Sequence, residues 1–514
     1  MAEQPKRSLS DEERRRLQAR RTQRPRGAQQ RPMAQQPRPA RSYSQAPQAH
    51  ARHQSAPPRR KSPILPVVIV VLSLAFVGVL GFFGLRACQN GGVKLPFMGG
   101  GSQGEQAGQG SAGDAAAQPI DDGSRDINLL MVGDILFHYQ VRESGLKVEG
   151  KLDTLHEEGS LTSDMLNYDH VFANTLGQLE GYDIKVLNQE TPLGGMAFPF
   201  SGYPSFNGPQ EIGDAEVAAG YNVVLKATNH AMDVGYDGIV AEQNFWHSKY
   251  PNVGVIGEVD PTDPNTSVED VYVYEKDGFR VALLNYALDL NGYEDPQGAV
   301  SMLEEGHIRS TMAKAREMAD MIVAFPHWGE EYNLEPVQKQ YEWAKLLIEE
   351  GADVIIGGHP HVMEPFELLQ GPDGQKVPCF WSMGNFISTS PSNESLVGGF
   401  AKVSLHKDAN GNCSVTAASL VPTVTHLGLH DDMTTYLLSD WTDELASSNW
   451  LDTDVNPDTD NTSLTPEWAS SFCTQLFGSN FDPNTKVCTF DVNGQATQLF
   501  ASSSSASGTS TTQS

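Results

Sequence analysis

An α/β fold is the class this sequence predicts, on three observations. From Asp126 to about Thr425, short apolar runs alternate with segments of helical period, the pattern of strands joined by helices over a largely parallel sheet. Glu335 to Glu350 shows the helical period most plainly: Val337, Tyr341, Ala344 and Ile348 recur on one face, with Pro336 at the start and Gly351 just past the end. After His361 the apolar runs follow one another without helical segments between them. About 300 residues are many for one sheet, whereas two packed sheets with outer helices bury a proper core.

The strands read in order as Ile127–Val132, Ile184–Leu187, Val223–Lys226, Val281–Asn285, Met321–Phe325 and Val354–Ile356. The strand-rich part follows as Phe366–Leu369, Val377–Trp381, Phe400–Leu405 and Ser414–Val421. A helix is expected to begin near Gly235, opened by Asp233 or Asp237. His247 and His307 fall within helical segments.

The surroundings of this region are equally legible. Up to Lys61 the chain carries 16 Lys/Arg against 4 Asp/Glu, a net of +12, so the total of 36 basic and 64 acidic residues leaves −40 for the rest. So acidic a body excludes nucleic acid as its partner. Five Cys in 514 residues exclude a disulfide-built scaffold. Ile64 to Leu85 is uncharged and largely apolar; as a helix it spans roughly 33 Å, enough for a bilayer core. Arg59, Arg60 and Lys61 precede it and only Arg86 follows, which places the N-terminus in the cytoplasm and the main domain outside the cell membrane. The expected organisation is a disordered basic tail (1–61), a transmembrane helix (62–86), a Gly/Ser-rich linker (87–125), the main domain (126–430), an acidic C-terminal extension (431–500) and a Ser/Thr tail (501–514). Trp441, Trp450, Trp468 and Phe477 give the extension apolar anchors, and Cys473 with Cys488 is a plausible disulfide.

The chemistry sits at strand ends. Asp134 follows the first strand and Glu190 the second; Asn229 and His230 follow the third, His327 the Met321–Phe325 run, and His359 and His361 the Val354–Ile356 run. Ligands collect outside the carboxyl ends of strands in open α/β sheets. Carboxylates, an amide oxygen and imidazoles gathered there form a donor set for divalent cations. Singly, each is an ordinary turn or cap residue; together, all following strands, they point to a site.

This ordered set resembles a known family. Gly133-Asp134, NQETPL (Asn188 to Leu193), TNHAMDVGYDG (Thr228 to Gly238), HWGEEY (His327 to Tyr332), GGHPHV (Gly357 to Val362) and SMGNF (Ser382 to Phe386) look like the motifs of the CapA capsule-synthesis family, over roughly residues 126 to 425. That family falls in the calcineurin-like metallophosphoesterase superfamily and is linked to poly-γ-glutamate capsule biosynthesis. The resemblance implies a four-layer α-β-β-α sandwich holding two divalent ions (Mn, Fe or Zn). It implies Glu190 as the bridging ligand, Asn229, His327 and His359 at one ion, Asp134 and His361 at the other, and His230 as the catalytic residue facing the substrate. Two departures stand out: the Asp-x-His of the superfamily is missing here, leaving His138 as the candidate replacement, and Glu190 stands where an Asp is usual. Asn385 is read either as a turn residue or as a partner orienting a metal-binding His. Two functions follow: a membrane-anchored hydrolase of the phosphoesterase type acting in capsule synthesis, or a non-catalytic scaffold that binds anionic polymer or a capsule-synthesis membrane complex.

Overall fold

The computed structural model describes residues 123–390, 392–428, 432–449 and 464–500. The tail, membrane span, Ser/Thr tail and nearly all of the linker expected from the sequence lie outside the described residues, as does Trp450. Among the described residues no helix is long and apolar enough to cross a membrane.

Two mixed sheets carry the fold. The first runs β15 (Phe481–Asp482), β16 (Val487–Phe490), β13 (Cys413–His426), β12 (Val397–Lys407), β1 (Arg125–Ile135), β2 (Ile184–Gln189), β3 (Val223–Leu225) and β4 (Gly254–Ile256). β11 (Asn385–Ile387) pairs with β1, and β14 (Thr434–Leu437) with β13. The second runs β17 (Thr497–Gln498), β9 (Phe366–Gln370), β10 (Lys376–Phe380), β8 (Val354–Ile356), β7 (Met321–His327), β6 (Phe279–Ala287) and β5 (Tyr272–Lys276). The expected parallel arrangement holds at both centres, from β1 to β4 and from β6 through β7 and β8 to β10. Antiparallel neighbours flank each centre, so the sheets are mixed.

Side-chain alternation explains the packing. Val281 and Leu283 of β6 join a core shared with Leu129 of β1 and Val186 of β2. Ala282, Leu284 and Tyr286 point the other way, onto Ile308 and Met312 of α5 (Glu305–Met318) and Leu347 and Ile348 of α6 (Gln338–Glu349). On the first sheet, Ile212 of α3 (Glu211–Ala219) and Trp246 of α4 (Gly235–Lys249) add to the core. Each Val, Leu, Ile or Met side chain among these is worth about 1.5–3 kcal/mol when fully buried. β8 reads Val-Ile-Ile and is buried on both faces, as a central parallel strand should be.

Most predicted strands lie within one to three residues of their observed bounds. β4, β5, β11 and the strands after β13 were not expected: they are short, and β5 is half-buried with Glu275 exposed, so no buried face imposes an apolar alternation on it. α4 begins at Gly235 as expected. α6 starts at Gln338 rather than Glu335, because Gln340 Oε1 accepts from the Val337 N–H at 2.8 Å and fixes the first turn there. Its end is set by Gly351, at φ 100°. Residues of the expected extension are built into both sheets: β14 and β16 pair with β13, and β17 with β9. Two more short helices follow β1, α1 (Tyr139–Ser144) and α2 (Leu152–Glu157), and α8 (Pro466–Phe477) follows α7 (Asp443–Ser448) in the C-terminal part. α8 is capped by Thr465, which accepts from Trp468 N at 3.1 Å. The disulfide expected between Cys473 and Cys488 is not formed; both are buried free thiols, and burial pushes Cys473 up to about 12. Cys379 and Cys413 are free as well.

Candidate metal centre

Strand ends from both sheets converge on one buried point. Asp134 lies near the end of β1, Glu190 directly follows β2, and Asn229 and His230 occupy the turn between β3 and α4. Across from them, His327 ends β7, and His359 and His361 lie in the loop after β8. All seven are buried. Donor atoms of Glu190, His327 and His359 lie within 4.8 Å of one another, and so do those of Asp134, Glu190 and His361. Glu190 belongs to both groups.

Backbone shape delivers the histidines. His359 has φ 96° and His361 φ 59°, left-handed values that cost a non-glycine residue about 1–3 kcal/mol each. The turn brings the His359 N–H to Asp134 Oδ2 at 3.0 Å. A Cβ on Gly358 would stand 2.5 Å from Asp134 Oδ1, so only glycine lets the loop pass so close to the carboxylate.

Amides and a carboxylate hold the remaining groups. Asn188 Nδ2 donates to Asp134 Oδ1 at 2.7 Å and lies 3.1 Å from His327 Nδ1. His327 Nε2 then carries the proton and donates to Asn229 Oδ1 at 2.9 Å. A cation shared by His327 and Asn229 must displace that proton. His361 Nδ1 has only acceptors around it, Asn385 Oδ1 at 3.0 Å and Asp134 Oδ2 at 3.4 Å, so it donates. Its Nε2 faces Glu190 Oε1 at 3.6 Å. Likewise His230 Nδ1 donates to Asp233 Oδ2 at 2.7 Å, with Nε2 4.0 Å from Glu190 Oε1.

Electrostatics follow from this crowding. Burial would raise Asp134, but the hydrogen bond from His361 and the charges of His327 and His361 hold it below the usual carboxylate range. Burial also opposes ionisation of Glu190, and His361 again tips the balance toward the carboxylate despite Asp134 beside it. His361 is penalised by burial, yet Glu190 and Asp134 outweigh this and raise it to about 9. His359 falls well below its ordinary value through burial and the neighbouring His327. Burial and His361 depress His138 to about 3.

The donor set fits divalent cations on an observation of its own. Both carboxylate oxygens of Glu190 and Nδ1 of His359 are buried without a hydrogen-bond partner. Native interiors leave few such atoms, and each costs about 1–3 kcal/mol or more. Cations between Glu190 and the imidazoles would satisfy them.

His138 stands beside this cluster: it joins neither group, its ring packs 5.4 Å from Phe206, and its Nδ1 accepts from Thr389 N at 3.2 Å. Asp233, read from the sequence chiefly as a helix-capping residue, instead faces His230 and accepts from Phe206 N at 2.7 Å. Asn385 takes the orienting role rather than the turn role. Asn188 carried no signal of its own beyond its place in NQETPL. Trp328 is fully buried and donates to Trp381 O at 3.0 Å, a packing residue.

A hydrogen-bonded series elsewhere has the order Ser301, His307, Glu269, at 2.9 and 2.8 Å. Ser301 is 4% exposed and does not line the adjacent cavity, so the series braces the loop before α5.

Two facing sheets with a buried carboxylate–imidazole cluster at their strand ends define an α/β protein with a candidate metal centre. The chain belongs to the bacterial capsule synthesis protein PGA_cap family, whose model matches residues 128–390. It is 28% identical over 211 residues to the PGA biosynthesis protein CapA of Bacillus subtilis (strain 168), covering 38% of this chain and 50% of that protein. Over 187 residues it is 30% identical to the capsule biosynthesis protein CapA of Bacillus anthracis, covering 35% and 43%. The chain thus spans about half the length of the curated relatives it matches. A solved 5′-nucleotidase from Candida albicans SC5314 aligns over 68% of this chain and 58% of its own, at 12% identity and a TM-score of 0.32.

Proposed function

We propose that the chain is a membrane-anchored, metal-dependent hydrolase of the phosphoesterase type acting in capsule synthesis, with two divalent ions bridged by Glu190. The observation that carries this is Glu190 itself, shared by two ligand groups and buried with both oxygens unpartnered. Asn229, His327 and His359 would hold one ion and Asp134 and His361 the other. Such a pair supplies an activated water and a clamp for an attacked phosphoryl group. The protein's own part is better defined. Asp233 holds His230 with its Nδ1 proton committed, leaving Nε2 turned toward Glu190 and free to take or give a proton. Asn188 and Asn385 fix the rings of His327 and His361. Burial of the whole cluster excludes bulk water and strengthens every charge interaction within it.

The anchor is the apolar run Ile64 to Leu85, with the folded part outside the cell. Family membership and the names of the two relatives support the capsule pathway. Hydrolysis of bis-p-nitrophenyl phosphate by the full chain, supplied with Mn²⁺ or Zn²⁺, tests the reading. His230→Ala should cut turnover by about 10²–10⁴-fold at unchanged metal content. A metal-loaded protein without activity that depends on His230 would leave the scaffold reading in its place.

A further inference from the structure

We infer that the buried ion pair of Lys226 and Glu242 is the positioning device for Glu190, gripping the chain on both sides of it. Neither carboxylate oxygen of Glu190 has a hydrogen-bond partner, so no bond to the side chain fixes where those oxygens stand. The main chain must do so. Lys226 directly follows β3 and is the only buried lysine among the described residues. Its Nζ lies 3.0 Å from Glu242 Oε1 and donates to Gln189 O at 3.1 Å, on the residue before Glu190. Glu242, on α4, turns its other oxygen to the far side of the segment, where Oε2 accepts from the Leu193 N–H at 2.9 Å. Between these two points Thr228 Oγ1 donates to Glu190 O at 2.9 Å. β3, α4 and the turn joining them thus hold the backbone from Gln189 to Leu193 before, at and after Glu190.

Stability alone does not account for the pair, because apolar side chains of similar volume often replace a buried ion pair without loss. What the pair holds does account for it. Beyond the contact between the two side chains, Lys226 bonds to Gln189 and Glu242 to Leu193, both in this one segment. The remaining bond, from Trp246 Nε1 to Glu242 Oε1 at 3.4 Å, stays within α4. Burial opposes the charge on Lys226, but Glu242, Glu258 and Glu216 outweigh it and raise the amine above the ordinary lysine range. Two acceptor oxygens on residue 242 are essential to the grip. An amide there has the same shape but one acceptor oxygen, and cannot serve Lys226 and the Leu193 N–H together. The grip serves metal binding only if Glu190 is the bridging ligand proposed above.

Two measurements on the full chain test this: hydrogen exchange of the metal-free protein by mass spectrometry, and Mn²⁺ binding followed by electron paramagnetic resonance. Glu242→Gln should speed exchange of the Gln189–Leu193 segment at least about tenfold, with β8 and α6 of the other sheet unchanged. It should also weaken Mn²⁺ binding by about 10–100-fold and replace the broadened signal of coupled ions with the resolved hyperfine signal of isolated ones. Lys226→Met combined with Glu242→Gln strands no buried charge and should act in the same direction, so either variant decides if the other fails to fold. Ile348→Val, a core change on the second sheet, controls for lost stability and should move neither readout. Wild-type exchange of the segment, or wild-type Mn²⁺ affinity and signal in a variant whose unfolding midpoint has fallen, would overturn the assignment. A wild-type chain that takes up no Mn²⁺ would instead sink the metal reading, and segment exchange would then decide the grip alone.

Discussion

A buried carboxylate without a donor costs several kilocalories per mole, and Glu190 keeps both oxygens in that condition among five imidazoles. Residues around it spend their hydrogen bonds on holding rings rather than on neutralising it. Two consequences follow at this scale. Asn385→Ala removes the nearer of the two acceptors of His361 Nδ1 and should weaken metal binding by about 10–100-fold, read by competition with a fluorescent chelator. Asp233→Asn keeps the shape but removes the charge that orients His230; phosphodiester turnover should fall at least about 100-fold with metal content intact. The candidate ligand residues were legible in the sequence because each directly follows an apolar run. Their braces were not. Asn188 meets His327 across 139 positions of chain and Asn385 meets His361 across 24, and an asparagine near a turn carries no mark of such a partner. His138, the candidate replacement ligand, accepts the Thr389 N–H at its Nδ1, a contact its spacing did not announce.

Loops after β7 and β8 do the positioning at the scale of elements. Gly357 and Gly358 sit where two chains of backbone cross: a Cβ on the first would meet Trp381 O at 2.1 Å, on the second Asp134 Oδ1 at 2.5 Å. The two positions predict different failures. Gly358→Ala should displace Asp134 and lower metal content while the melting transition moves little. Gly357→Ala should instead cost about 1–3 kcal/mol of stability, read from denaturant unfolding. The motif Gly-Gly-His-Pro-His announced this loop, but its left-handed histidines follow only from the crossing beneath it. Strands on the sheet margins escaped notice for a related reason. β5 and β17 are partly or wholly exposed, so burial never imposed an apolar pattern on their sequence.

At the scale of the molecule, the acidic body contains carboxyl groups whose ionisation burial delays to higher pH. Burial lifts Glu364 to about 8, although Gln340 donates to it at 2.7 Å, and lifts Glu258 to about 8 and Asp353 to about 6. A raised folded-state value means the folded protein holds a proton that the unfolded chain releases. The stability these groups contribute is therefore complete below the ordinary carboxylate value and is lost as pH rises toward 8. For Glu364 alone the loss is on the order of 3 kcal/mol. Glu364→Gln, which mimics the protonated form, should flatten the pH dependence between 5 and 8 and be the more stable protein at pH 8. Denaturant midpoints across that range would show it, and an unchanged slope in the variant would contradict it.

Metal stoichiometry of the purified full-length chain, by mass spectrometry beside Glu190→Ala, bears most directly on the central claim. Close to two divalent ions per chain, lost in the variant while the fold persists, is the result a Glu190-bridged centre predicts. A folded wild-type chain that takes up no metal, or a Glu190→Ala protein that keeps both ions, would contradict it.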